Sequence, residues 1–107
     1  MRTKTISLPR LDGLTPTLES TALKLMEEAG ELAEAIGKLR GLSGEQVYLD
    51  ERDLATNIVG ELLDVAQTAV SMMFVMEENY QVDIGQAVEY HISKLCKKGY
   101  LTRDDDQ

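Results

Sequence analysis

Two stretches of this sequence repeat apolar residues at alternating four- and three-residue spacings, and nothing else in the chain constrains its fold as tightly. The first stretch runs through Leu18, Ala22, Leu25, Ala29, Leu32, Ile36 and Leu39. The second runs through Ile58, Leu62, Val65, Ala69, Met72 and Met76. This spacing returns each residue to one face of an α-helix, whereas a half-buried strand would alternate every second residue. The second stretch carries a further apolar strip, Val59, Leu63, Ala66, Val70 and Met73. An arc that wide predicts burial from two sides, one of them against a second subunit.

Helix ends bracket these repeats. Thr15-Pro16 reads as an N-cap followed by proline at the first helical position. Gly41 and Gly44 end the first helix. Gly30 and Gly37 lie inside it, at a cost of roughly 0.5–1 kcal/mol each relative to alanine, which predicts close approach of a neighbouring helix or a ligand. The polar connection 41–52 precedes a second helix from about Asp53 to Asn79. A break at Gln81 to Asp83 leads to a third helix, in which Asp83 and Gln86 read as a capping box. Ile84, Val88, Ile92 and Leu95 form its apolar face. Lys97 and Lys98 suit its C-terminal dipole, and Gly99 is a natural cap.

The expected architecture is all-α: an antiparallel helical bundle of three to four helices per chain, completed by oligomerisation. Residues 1–13 read as an N-terminal arm, 14–101 as the helical domain and 102–107 as a disordered acidic tail. The chain has no Trp and one Phe, so its core rests on aliphatic residues and Met, which favours helices over a sheet sandwich. A chain of 107 residues buries a modest share of its surface, which is a second reason to expect association.

A formal net charge of −8 argues against a nucleic-acid polymer or an anionic membrane as partner, since both need a basic footprint. No apolar run approaches the ~20 residues that span a bilayer. Cys96 has no intrachain disulfide partner, and no signal peptide is evident; both point to a reducing cytoplasm.

The acids hold the functional signal. Glu27-Glu28-Ala29-Gly30-Glu31 and Glu61-Leu62-Leu63-Asp64 each contain two acids three residues apart, Glu28/Glu31 and Glu61/Asp64. Such pairs project from one side of a helix, where like charges repel, and a hard divalent cation such as Mg²⁺ would neutralise them. At 100° per residue from Leu25, Glu28 falls at about −60° and Glu31 at about −120°, flanking the apolar seam, while Glu27 and Glu34 face away. Glu61 lies beside the second helix's seam with Asp64 one step outward. Packed antiparallel, the two helices aim all four acids at one crevice. The competing reading is a solvated acidic face, the commonest fate of any single pair in a chain with 19 acids.

These residues also resemble a known pattern. The chain is similar to the MazG-like, all-α nucleoside triphosphate pyrophosphatase superfamily, whose signature E-E-x-x-E followed by E-x-x-D is met by Glu27-Glu28-Ala29-Gly30-Glu31 and Glu61-Leu62-Leu63-Asp64. The flanking text KLMEEAGELAEAIGKLRG and NIVGELLDVAQTAVSMMF, with the later SKLCKKGYL, extends the likeness over roughly residues 15–100. The resemblance implies a dimer or tetramer that hydrolyses an NTP or dNTP to the monophosphate and pyrophosphate. It implies Mg²⁺, or Mn²⁺ as substitute, held by Glu28, Glu31, Glu61 and Asp64. Glu27 belongs to the signature and is a weaker ligand candidate; Glu27 or Glu31 would orient the attacking water. It also implies that Lys94 and Lys98, one turn apart, bind substrate phosphates. Their bland alternative is a dipole complement. The interval between the acid motifs is long for the family, and the extra length falls on 41–52, read as a lid or base pocket.

Other residues point nowhere. His91 stands without a second metal ligand, and no Glu-x-x-His occurs to build a di-iron centre. No P-loop or nucleophilic triad is present. The functional expectation is therefore a Mg-dependent nucleotide pyrophosphohydrolase that removes noncanonical or excess nucleotides. The alternative is a non-catalytic helical oligomer acting as a nucleotide or metal sensor or an interaction module.

Overall fold

Thr17 begins the first helix because its hydroxyl accepts the Ser20 N–H at 3.0 Å while Ser20 Oγ accepts the Thr17 N–H at 2.8 Å. This reciprocal box starts α1 at Leu18 and leaves Thr15-Pro16 outside it, two residues later than the proline signal predicts. The computed structural model describes residues 1–41 and 50–103. It contains α1 (Leu18–Leu39), α2 (Glu51–Tyr80) and α3 (Ile84–Lys97), and no strand among the described residues. Gly41, at φ +71°, closes α1 with its N–H on the Lys38 carbonyl. The expected lid or base pocket of the 41–52 connection falls largely on residues 42–49, outside the described residues.

Asp50 caps α2 by accepting the Asp53 N–H at 2.8 Å. Gln81 ends that helix in the left-handed region at φ 55°, a conformation that costs a side-chain-bearing residue about 1–2 kcal/mol. Asp83 caps α3 through the Gln86 N–H at 3.0 Å. The other end of α3 is a full Schellman motif: Gly99 at φ +80° donates to the Cys96 carbonyl and Tyr100 to the Leu95 carbonyl.

α1 and α2 pack along one another, and the residues they share run antiparallel, with Glu28 and Glu31 near Glu61 and Thr21 near Thr68 and Ser71. The inward stripe of α1 is Leu18, Thr21, Leu25, Glu28, Leu32, Ala35 and Leu39. It is turned by roughly 40° from the apolar repeat, so Ala22, Ala29 and Ile36 face outward. The inward stripe of α2 is Leu54, Ile58, Glu61, Val65, Thr68, Met72 and Val75. Both seams thus replace apolar positions with polar ones at regular helical spacing.

α3 extends from this pair and packs closely against neither helix. The radius of gyration is 17.3 Å, against roughly 13 Å for a compact chain of this length. The accessible surface is 8430 Å², where a compact monomer of this mass exposes about 6000 Å². Apolar side chains contribute to this surface: Val59, Leu62, Leu63 and Met73 on α2 and Val88 on α3 are all at least 41% exposed. Gly30 and Gly37 have open space where a Cβ would stand, so no helix of the same chain approaches them. Contrary to the expectation from the sequence, α2 is long and apolar enough to cross a membrane by length and composition alone, the one such helix among the described residues, although Glu61 and Asp64 interrupt its apolar run.

A candidate metal centre and its cavity

The α1–α2 seam brings three carboxylates together. Glu28, Glu31 and Glu61 each offer an oxygen within 4.8 Å of the others. Glu28 is buried, Glu61 half-buried and Glu31 exposed. Glu28 Oε2 and Glu61 Oε2 are buried with no hydrogen-bond partner. A buried anionic oxygen without a donor is costly, so two of them side by side ask for a ligand that brings positive charge. An all-carboxylate donor set of hard oxygens suits Mg²⁺ or Mn²⁺ and offers nothing to softer metals.

The electrostatics agree. The Glu31 carboxyl is raised above its ordinary value, first by the charge of Glu28, then by desolvation and the charge of Glu61. Lys24 supplies a cation to the cluster: its Nζ lies 3.0 Å from Glu28 Oε1 and 3.8 Å from Glu27. Its ammonium is raised by these same partners, the Glu28 bond foremost. Glu27 is exposed, shares Lys24 with Glu28 and is not one of the three clustered carboxylates.

Asp64 stands apart from the triad. It is exposed and lines a cavity of about 410 Å³ together with Glu28 and Lys24. Lys94 and Lys98 sit at the C-terminal end of α3, exposed, and line neither of the two cavities beside the arm. Within one chain they are therefore presented by a helix that does not pack on the acid-bearing pair.

Sequence reasoning missed the cavity. Its roof is the N-terminal segment, through Leu11, Leu14, Thr15 and Pro16, and its floor is the polar face of α1 and α2. Two tethers hold the segment: Arg10 makes a two-pronged pair with Glu78, and Gln67 Nε2 donates to the Pro9 carbonyl at 2.8 Å. Arg10 in turn holds the Glu78 carboxyl below its ordinary value. The available signal was the regular spacing of Thr21 with Glu28 and of Glu61 with Thr68, seven residues apart on faces otherwise apolar.

Comparison with known proteins adds one finding. A family model described as the MazG nucleotide pyrophosphohydrolase domain matches residues 16–99. No curated protein and no solved structure matches the chain.

Proposed function

The chain belongs to the MazG nucleotide pyrophosphohydrolase family, and on that premise we propose that it hydrolyses nucleoside or deoxynucleoside triphosphates to the monophosphate and pyrophosphate, using Mg²⁺. The observation that carries this reading is the pair of buried, unpartnered oxygens on Glu28 and Glu61 beside Glu31. Those three residues, with Asp64 at the adjoining cavity edge, would hold the metal, and Mn²⁺ would substitute. A bound divalent ion would polarise the phosphates and lower the pKa of water.

The reaction places a water oxygen on the α-phosphorus and breaks its bond to the bridging oxygen, which leaves on pyrophosphate. The chain's own residues divide the remaining work. One α1 carboxylate, Glu27 or else Glu31 where it is left out of the metal's ligand set, orients the water. Lys24, at the cavity beside Glu28, is a further cation positioned to meet the phosphate chain. Lys94 and Lys98 offset charge on the departing pyrophosphate, with α3 brought to the acids by assembly. That assembly is a homodimer or homotetramer in which the exposed apolar residues of α2 and α3 are covered by a second copy. The role we assign is removal of noncanonical or excess nucleotides in the cytoplasm.

The test is pyrophosphate release from a panel of ribo- and deoxynucleoside triphosphates, with Mg²⁺ and with EDTA, for the wild type and for Glu28→Gln and Asp64→Asn separately. Metal-dependent release that falls at least ~100-fold in both variants is the expected outcome, given the several kcal/mol that such charge stabilisation supplies. Near-wild-type turnover in both variants overturns the site. Nucleotide binding with no product identifies a sensor instead.

A further inference from the structure

The N-terminal segment crosses the α1–α2 seam without regular structure. Residues 11–16 make no backbone–backbone hydrogen bond among the described residues, and the chain bends at Asp12-Gly13. One end of this stretch continues into α1 through the Thr17 cap. The other end is held by two side chains of α2. Gln67 Nε2 donates to the Pro9 carbonyl at 2.8 Å, and the Arg10 guanidinium spans both oxygens of Glu78. Glu78 lies fourteen residues beyond Asp64 on α2, about 21 Å along the axis, so this grip is remote from the acid cluster.

The same segment is a wall between two cavities. Leu11, Leu14, Thr15 and Pro16, with Ser71 of α2, line both the cavity of about 410 Å³ at the carboxylates and a second of about 350 Å³ that reaches Glu78. Lifting the segment would join the two into one open groove. Little holds it down. The Arg10 and Glu78 side chains are 50% and 45% exposed, and an ion pair in contact with water is weak. Leu14 lines both cavities and is still 64% exposed, so apolar burial does not fix the wall there either. A stretch with no backbone bonds and exposed contacts belongs to the part of a fold that opens locally at low cost.

We propose that residues 9–16 are a strap that lifts to let nucleotide in and out, and that Arg10, Gln67 and Glu78 are positioning residues that latch it shut. The proposal rests on the nucleotide pyrophosphohydrolase reading and adds to it the step that controls access. The structure, which holds no nucleotide, has the latch made; the strap closed over a bound nucleotide makes it as well. A contact present in both states cannot change the equilibrium affinity, because a shift requires a difference between them. It sets instead how often the groove stands open, and so the rates of entry and exit together. A residue that merely supported the fold of the site would loosen binding and speed exit alone.

Stopped-flow fluorescence measures entry and exit of N-methylanthraniloyl-labelled ATP, GTP, CTP and UTP in the full chain, with Ca²⁺ in place of Mg²⁺. Glu78→Gln should raise both rate constants by about 2- to 5-fold, the range of an exposed ion pair, and leave their ratio unchanged. Arg10→Glu, which sets two like charges face to face, should raise both further, and adding Glu78→Arg should return them towards wild type. A second readout needs no nucleotide. Trypsin cuts after Arg10 only when the strap is free, so Gln67→Met, which leaves the Arg10–Glu78 pair in place, should speed that cut relative to the cut after Lys4. Rates unmoved by Glu78→Gln and Arg10→Glu, or a rise in exit alone, overturn the strap, and pyrophosphate release in the same proteins then leaves the pyrophosphohydrolase reading intact. Cleavage after Arg10 unchanged by Gln67→Met also overturns it. A matched rise in both rates without any turnover supports the strap and overturns the reaction. No binding of any of these nucleotides to the wild type overturns the strap as their gate.

Discussion

Glu61→Gln should make the metal-free protein more stable and make it deaf to Mg²⁺. Two carboxylate oxygens no more than 4.8 Å apart repel by about 3.5 kcal/mol at an effective dielectric of 20. Lys24 already offsets part of the Glu28 charge, and Glu61 is only half-buried, so a discount to about 1–2 kcal/mol is appropriate. The new amide also donates to Glu28 Oε2, which now has no partner. In EDTA, the melting temperature should therefore rise by roughly 5–15 °C, since 1 kcal/mol shifts a domain of this size by about 4–8 °C. The wild type at 100 times its dissociation constant for Mg²⁺ should gain about 2.7 kcal/mol, and the variant should gain almost none of it. The order of stabilities then inverts between EDTA and saturating Mg²⁺. Thermal melts of both proteins in both buffers measure this directly. A variant that melts below the wild type in EDTA, or that keeps the full Mg²⁺ shift, would refute the idea that Glu61 is a strained, unpartnered ligand.

Four further outcomes follow. The folded-state carboxyl of Glu31 lies above its unfolded value, so its proton stabilises the metal-free fold fully below about pH 4.5, and that contribution is lost as pH rises through the folded value; Glu31→Gln should abolish the loss in denaturant titrations without metal. Glu78, lowered by Arg10, has the opposite sign: its contribution is present above its unfolded value and disappears as pH falls through its folded one, and Glu78→Gln should remove that acid-side slope. Gln81→Gly should stabilise by about 0.5–1 kcal/mol in the same titrations, because glycine adopts the left-handed φ without strain. Leu63→Asp, placed on the exposed apolar side of α2, should reduce the mass seen by sedimentation equilibrium to that of a single chain; an unchanged mass would show that this face covers no second copy.

The three helices were legible because their ends are written in local chemistry. Asp83 and Gly99 act as their positions predict, Gln86 answers Asp83 with its backbone N–H and not with the side chain of a capping box, and the breaks near Gly41 and Gln81 fall where the periodicity stops. The start of α1 was displaced because Thr15 and Thr17, two residues apart, compete as cap, and the Ser20 hydroxyl decides for Thr17 by answering it. The signature acids could be placed on their helices from sequence, but Asp64 could not be separated from the triad. Its position depends on the relative rotation of α1 and α2, which no single-helix wheel contains.

That rotation is also why the cavity was illegible. Counting apolar residues assumes that the buried face is the greasiest face, and on α1 that assumption selects Ala22, Ala29 and Ile36 over Thr21, Glu28 and Ala35. The structure makes the other choice, at equal helical regularity. A seam that accepts Glu28, Glu61, Thr21, Thr68 and Ser71 sacrifices packing energy along several turns. The apolar residues displaced from the seam are then left outside, where Leu62, Leu63, Val59 and Met73 form the exposed side of α2. The polar seam and the uncovered apolar face are thus two consequences of one rotation. Turning α2 to bury its aliphatic strips would give a better monomer core and would carry Glu61 away from Glu28. The chain keeps its acids together and leaves the aliphatic strips of α2 exposed.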